Sequence, residues 1–194
     1  MTHHSWHNIE SISSRSFDCW KCSHKVGSSA GYFNTSSKSK IYICPHCGSP
    51  NSFNHEGQQI PGPMVGDNVE SASNEAQHAY DEARKSFSAG AYTGSAAMCR
   101  KLLMNLAVSH GAETNKNFKF YVEWLEKNHY TPPNSKEWVD IIRDVGNDAN
   151  HEIVPVPQEQ AEELIVFCEG MLKFIFEFKA RAEKYKAKKQ KATD

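Results

Sequence analysis

The sequence predicts a mainly α fold, a bundle of about five helices behind a small N-terminal β module. Three observations carry that expectation. Two cysteine pairs, Cys19-Trp-Lys-Cys22 and Cys44-Pro-His-Cys47, stand 21 residues apart near the N-terminus. A stretch dense in glycine and proline follows over 54–70. Beyond it, apolar residues recur at intervals of three and four, the period of a helix that buries one face.

Residues 1–16 are polar, rich in Ser and His, and show no period, which predicts a flexible N-terminus. His3, His4 and His7 lack a partner pair at ligand spacing and read as surface residues. Residues 17–53 read as a zinc ribbon. Two cysteines three apart on a tight knuckle turn both sulfurs toward one ion, and two knuckles complete a tetrahedral shell. Pro45 and Gly48 suit such turns, and Lys40-Ile-Tyr-Ile43 reads as the strand leading into the second knuckle. The rival reading is a pair of disulfides. Nothing at the N-terminus resembles a signal peptide, and Cys99 and Cys168 sit in apolar helical patterns as free thiols do, so Zn2+ held by Cys19, Cys22, Cys44 and Cys47 is the expectation. A shell closed by four thiolates leaves no position for water or substrate, so the metal is structural. His24 and His46 then face solvent beside it. Trp20 is either a lid over the metal or a platform for a base or partner.

Residues 54–70, with Gly57, Pro61, Gly62, Pro63 and Gly66, form the linker. A helical domain is expected over 71–182 and a basic tail over 183–194. The first helix spans 72–88, with Ala76, Ala79, Ala83 and Phe87 on one side. The second, capped by Thr93 or Ser95, places Cys99, Leu102, Leu103, Leu106 and Ala107 at helical interval and ends at His110-Gly111. Phe120, Tyr121, Trp124 and Leu125 mark a short third helix, which Pro132-Pro133 terminates. A fourth starts at Ser135. The last follows Pro157, and Ala161, Leu164, Ile165, Cys168, Met171, Leu172, Ile175 and Phe178 form its stripe, with Phe167, Phe174 and Phe176 outside it. So wide an apolar face implies either a central place in the core or a second buried surface such as a homodimer contact.

Composition bounds the partners. No apolar run reaches the 18 or so residues that span a bilayer, so the protein is expected to be soluble and cytoplasmic, without a membrane partner. The net charge of −1 hides an acidic body and a basic end. Lys184, Lys186, Lys188, Lys189 and Lys191 either touch nucleic acid or are solvated, favourably placed for a helix dipole.

The fourth helix holds the candidate chemistry. On a wheel of 100° per residue, Trp138, Ile142, Val145 and Ala149 fall within about 60°, while Arg143, Asn147 and His151 lie about 140°, 180° and 220° away. A cation, an amide and an imidazole on one ridge can hold a phosphodiester and move a proton. The same spacing also describes a solvated helix face.

The segments Gly90-Ala-Tyr-Thr-Gly-Ser-Ala-Ala-Met-Cys-Arg100 and Ile142-Arg143-Asp-Val-Gly146-Asn147-Asp-Ala-Asn-His151 resemble a prokaryotic family of unknown function, numbered 4145, which is similar to the HEPN helical superfamily. The likeness covers about 75–182. It implies a HEPN-like bundle, a zinc ribbon ahead of it, and an interface where two copies bring Arg143 and His151 together. By resemblance, Arg143, Asn147 and His151 match the catalytic set of metal-independent ribonucleases in prokaryotic defence and toxin systems. His151 would act as base or acid on an RNA 2′-hydroxyl, with Arg143 stabilising the developing charge. The chain departs from the superfamily in the seven residues between Arg143 and His151, a longer interval than usual, and in the acidic Asp144 after the arginine. The resemblance thus leaves two functions: a nucleic-acid-associated protein able to cleave RNA, or a non-catalytic protein-binding or assembly module of a defence or regulatory system.

Overall fold

A computed structural model describes residues 6–133, 135–147 and 155–191, with the side chains of 143–147 and 191 outside that description. The chain divides into two compact units, one built up to Met64 together with Ser88–Gly90, the other from Val65–Phe87 and Ala91 onward.

The first unit is an antiparallel meander of four strands in sequence order: β1 (Glu10–Asp18), β2 (Lys25–Phe33), β3 (Lys40–Ile43) and β4 (Pro50–Phe53). β1 opens inside the stretch expected to be flexible. Its residues are mostly exposed, so no hydrophobic alternation announces it, and its order comes from pairing with β2, with a bulge between Ser11 and Arg15. Upstream, the Trp6 indole N–H donates to the Gly48 carbonyl at 2.9 Å. Phe17, Tyr42 and Phe53 form the core, with ring centroids 5.5–5.8 Å apart in tilted and edge-on contacts. Arg15 lies 4.1 Å over the Phe53 ring and donates to the Gly57 carbonyl, fastening the segment after β4. Gly31 permits the close approach of β2 and β3, because a Cβ there would stand 1.9 Å from the Ile41 oxygen.

The second unit is helical: α1 (Asn74–Ser88), α2 (Tyr92–Ser109), α3 (Phe118–Lys127), α4 (Lys136–Asn147), α5 (Gln158–Leu172) and α6 (Phe178–Lys191), the last two being halves of one rod. Counted with that rod as one, five helices follow a small antiparallel sheet, and the fold is mainly α. The N-cap of α2 is Ala91, two residues before Thr93 and four before Ser95, and no side chain caps it. Asn117 does cap α3, accepting from the Phe120 N–H at 2.9 Å. α5 packs on both α2 and α4. The expected stripe residues of α2 and α5 are buried as far as Leu172, Cys99 and Cys168 among them as free thiols. Phe167 is buried as well, edge-on to Trp138 at 5.0 Å. On α4, Val139 and Ile142 are fully buried and Trp138 is half-buried.

The stripe does not run on to Phe178. Lys173–Glu177 forms a π turn, in which the Phe178 N–H donates to the carbonyl five residues back, at Lys173. The surplus residue turns the following side chains, so Phe176 packs on the core and Phe178 is 56% exposed. Glu177 is buried and paired to Arg181 at 2.9 Å.

α1 contributes Ala76, Tyr80, Ala83 and Phe87 to the core. Arg84 beneath it is buried and holds the chain entering the unit, donating to the Val65 and Gly66 carbonyls at 2.8 and 2.6 Å and to Asn68 Oδ1 at 2.9 Å. Among the described residues, no helix is long and apolar enough to cross a membrane.

Candidate metal centre

Each cysteine pair sits on the same backbone device. In the first knuckle the Cys19 N–H donates to the His24 carbonyl and the Ser23 N–H to the Cys19 carbonyl. The second repeats it, Cys44 to Ser49 and Gly48 to Cys44. Both turns need a left-handed residue after the second cysteine, at φ 56° for Ser23 and 73° for Gly48. Glycine meets that demand at no steric cost; serine is held there by its neighbours.

These turns bring the four sulfurs together, every one within 4.8 Å of the others. Cys19 and Cys47 stand 3.7 Å apart and Cys22 and Cys44 3.9 Å apart, far longer than a disulfide bond of about 2.05 Å, and all are free thiols. Cys19 and Cys44 are buried, Cys22 and Cys47 half-buried. Four converging soft ligands can hold a metal ion.

The thiols are electrostatically unequal. Burial pushes Cys22 up to about 12 and raises Cys44 above the ordinary thiol range. Burial acts upward on Cys47 too, but hydrogen bonds from the Ser49 side chain and backbone, and from Cys22 and Cys19, outweigh it and hold Cys47 at about 6. Cys47 is therefore the readier thiolate, while Cys22 and Cys44 must lose protons when a cation enters.

Sequence reasoning did not single out Asn51, which organises this centre. It is fully buried at the start of β4. Its Oδ1 accepts from the Trp20 N–H at 3.1 Å and from Gln59 Nε2 at 3.2 Å, while its amide donates to the Ser49 carbonyl at 3.0 Å and toward Cys19 Sγ at 3.7 Å. It thus ties the first knuckle to the second and holds a ligand sulfur. The Trp20 indole N–H donates to the Pro50 carbonyl at 2.7 Å, anchoring the half-buried ring along β4. His24 and His46 are exposed and stack face to face, centroids 3.7 Å apart. The His24 Nδ1 is 2.8 Å from the Cys22 carbonyl.

The polar trio expected on the fourth helix is less fully placed. α4 runs as helix to Asn147, which sets Arg143 and Asn147 one turn apart on the backbone; their side chains and the whole of His151 lie outside the described residues. The basic end is described as far as Lys191, whose side chain lies outside the described residues together with 192–194. α6 carries Lys179, Arg181, Lys184, Lys186, Lys188, Lys189 and Lys191 against Glu183 alone, and every residue from Arg181 to Gln190 is exposed.

Among curated proteins and among solved structures, no match is found. The pattern of one family matches residues 81–188, more than half of the chain, from within α1 to near the end of α6. The chain accordingly belongs to the family described as a domain of unknown function, DUF4145.

Proposed function

We propose that this is a nucleic-acid-associated protein, in which a structural zinc ion holds the four-cysteine ribbon folded and a HEPN-like bundle presents the binding surface. The carrying observation is α6, a helix of seven cationic residues and one carboxylate that is exposed from Arg181 to Gln190. Backbone affinity for nucleic acid comes chiefly from Lys and Arg that displace condensed counterions. The rest of the helical body is acidic, so α6 concentrates the attractive field at one end. Zinc suits the four sulfurs: with bonds of about 2.3 Å, a tetrahedral shell has edges of about 3.8 Å, beside the observed 3.7 and 3.9 Å. Free thiols throughout favour a reducing, cytoplasmic setting.

The family resemblance extends the proposal to metal-independent RNA cleavage by Arg143, Asn147 and His151 across a homodimer. The helical backbone that sets Arg143 and Asn147 one turn apart favours it.

The test is titration of the zinc-loaded chain into labelled RNA at several salt concentrations. Binding should weaken steeply with salt, and replacing Lys184, Lys186 and Lys188 by Gln should lower the slope of log K against log salt by about 2 on a single strand. Cleavage without divalent metal, leaving cyclic phosphate ends and lost in His151→Ala, would establish the nuclease. Binding without cleavage leaves association alone. Absence of both overturns the proposal in favour of a protein-binding or assembly module.

A further inference from the structure

Resting on that reading, we infer that α6 is a single-strand reader: unpaired bases stack on Phe178 and Tyr185 while the lysines beside them hold the phosphates. Two large rings stand in water where the fold gives them little cover, Phe178 at 56% exposure and Tyr185 at 70%. Phe178 is exposed because the π turn withdraws it from the core stripe. Seven residues separate the rings, which places them within about 20° of each other on the helix and about 10.5 Å apart along it. Arg181 and Ala182 lie between them on the same side, the arginine paired back toward Glu177 and the alanine leaving a gap beside it.

The charges flank this line. Lys179 and Lys186 fall about 80–100° to one side, and Lys188 about 80° to the other, beyond Arg181, which is paired with Glu177. Glu183, the one carboxylate of α6, lies about 140° away. Rings along a track of cations suit a strand whose bases are unstacked and whose backbone runs beside them. A duplex offers its phosphates to the same lysines but keeps its base faces covered.

Two other occupants fit the pattern less well. A coiled-coil partner needs a second apolar position in each heptad; with the rings at a those positions are Arg181 and Lys188, and with the rings at d they are Ala182 and Lys189. An anionic membrane needs a continuous apolar face, whereas alanines are all that accompany the two rings.

The experiment compares full-length, zinc-loaded protein binding a labelled 12-nucleotide RNA and a hairpin duplex of the same charge by fluorescence anisotropy, with anionic phospholipid vesicles as a third target. The parent chain should bind the single strand about tenfold more tightly than the duplex. Tyr185→Ala, and Phe178→Ala with Tyr185→Ala, should remove that preference and leave the salt slope unchanged, whereas Tyr185→Phe should keep it. Tyr185→Trp should report stacking directly, its emission quenched by the single strand and not by the duplex. Because Tyr185 is so exposed, its single variants fold and the comparison holds even if the double variant does not. Equal affinity for both forms, or a preference untouched by Tyr185→Ala, overturns this inference while the general association with nucleic acid stands. Ring-dependent binding to vesicles without strand preference also overturns it. No binding to either nucleic acid overturns both readings.

Discussion

Asn51 has more hydrogen-bonding duties than any other residue near the cysteines, and it ligates nothing. Removing its amide in Asn51→Ala would strip the partner from the Trp20 N–H and the donor from the Cys19 sulfur, leaving Gln59 only the Asp18 carbonyl and the Ser49 carbonyl only the Cys44 N–H. Loss of such an outer partner lowers metal affinity about 10- to 100-fold, and unpaired buried groups cost about 1–3 kcal/mol each. A chelator competition should therefore show weaker metal binding in Asn51→Ala, with the four cysteines intact. The cluster of four cysteines was legible in the sequence, because a cysteine pair with two residues between is a chemical pattern. Asn51 was not. An asparagine beside Pro50 reads as a turn residue, and only the sheet that folds β4 against the first knuckle makes it internal. Ser23 was hidden for a related reason: its left-handed φ of 56° matches that of Gly48, but serine does not advertise such a backbone.

The strands and helices divide along similar lines. Helices were legible where one face meets a core, as in α2 and α5, whose buried residues follow the 3.6 period. β1 was not, since most of its residues are exposed and pairing with β2 supplies what alternation would have signalled. The β2–β3 pairing holds a sharper expectation. Gly31 faces Tyr42 across the ladder, and an added methyl would meet the Ile41 oxygen at 1.9 Å. Backbone cannot yield there without parting the strands, so Gly31→Ala should destabilise the four-cysteine unit by at least the 1–3 kcal/mol typical of overpacking. Thermal melts should show the loss, together with a lowered metal affinity. Gly27, where a Cβ would meet nothing within 4 Å, provides the control: Gly27→Ala should be nearly neutral.

At the scale of the molecule, the two cores share no residue: Phe17, Tyr42 and Phe53 with two of the cysteines in one, the helical stripes in the other. The first is small, and a module of that size ordinarily depends on its metal. Chelation should accordingly unfold the sheet and leave the helical signal in circular dichroism. Acid should do the same, because Cys22 and Cys44, held high by burial, must be deprotonated to bind. Protons compete with the ion as pH falls, and below about 6 Cys47 joins them. A far-ultraviolet spectrum that loses its helical bands along with the metal would show that the units fold as one.

The rod formed by α5 and α6 has a property that depends on arithmetic rather than on chemistry. One surplus residue in Lys173–Glu177 sets the phase of everything beyond it. Deleting a single residue there would remove the surplus and restore the ordinary repeat, and the outer half would keep its phase. Closing the turn into an ordinary α repeat at unchanged length would instead rotate the outer half by about 100°, bringing Phe178 back under the core stripe and turning the cations of α6 to another quarter of the surface. What the chain presents to its surroundings at this end is therefore fixed by the hydrogen-bond register of one turn: the loss of one residue there is absorbed, whereas a switch of that register redirects the whole outer half.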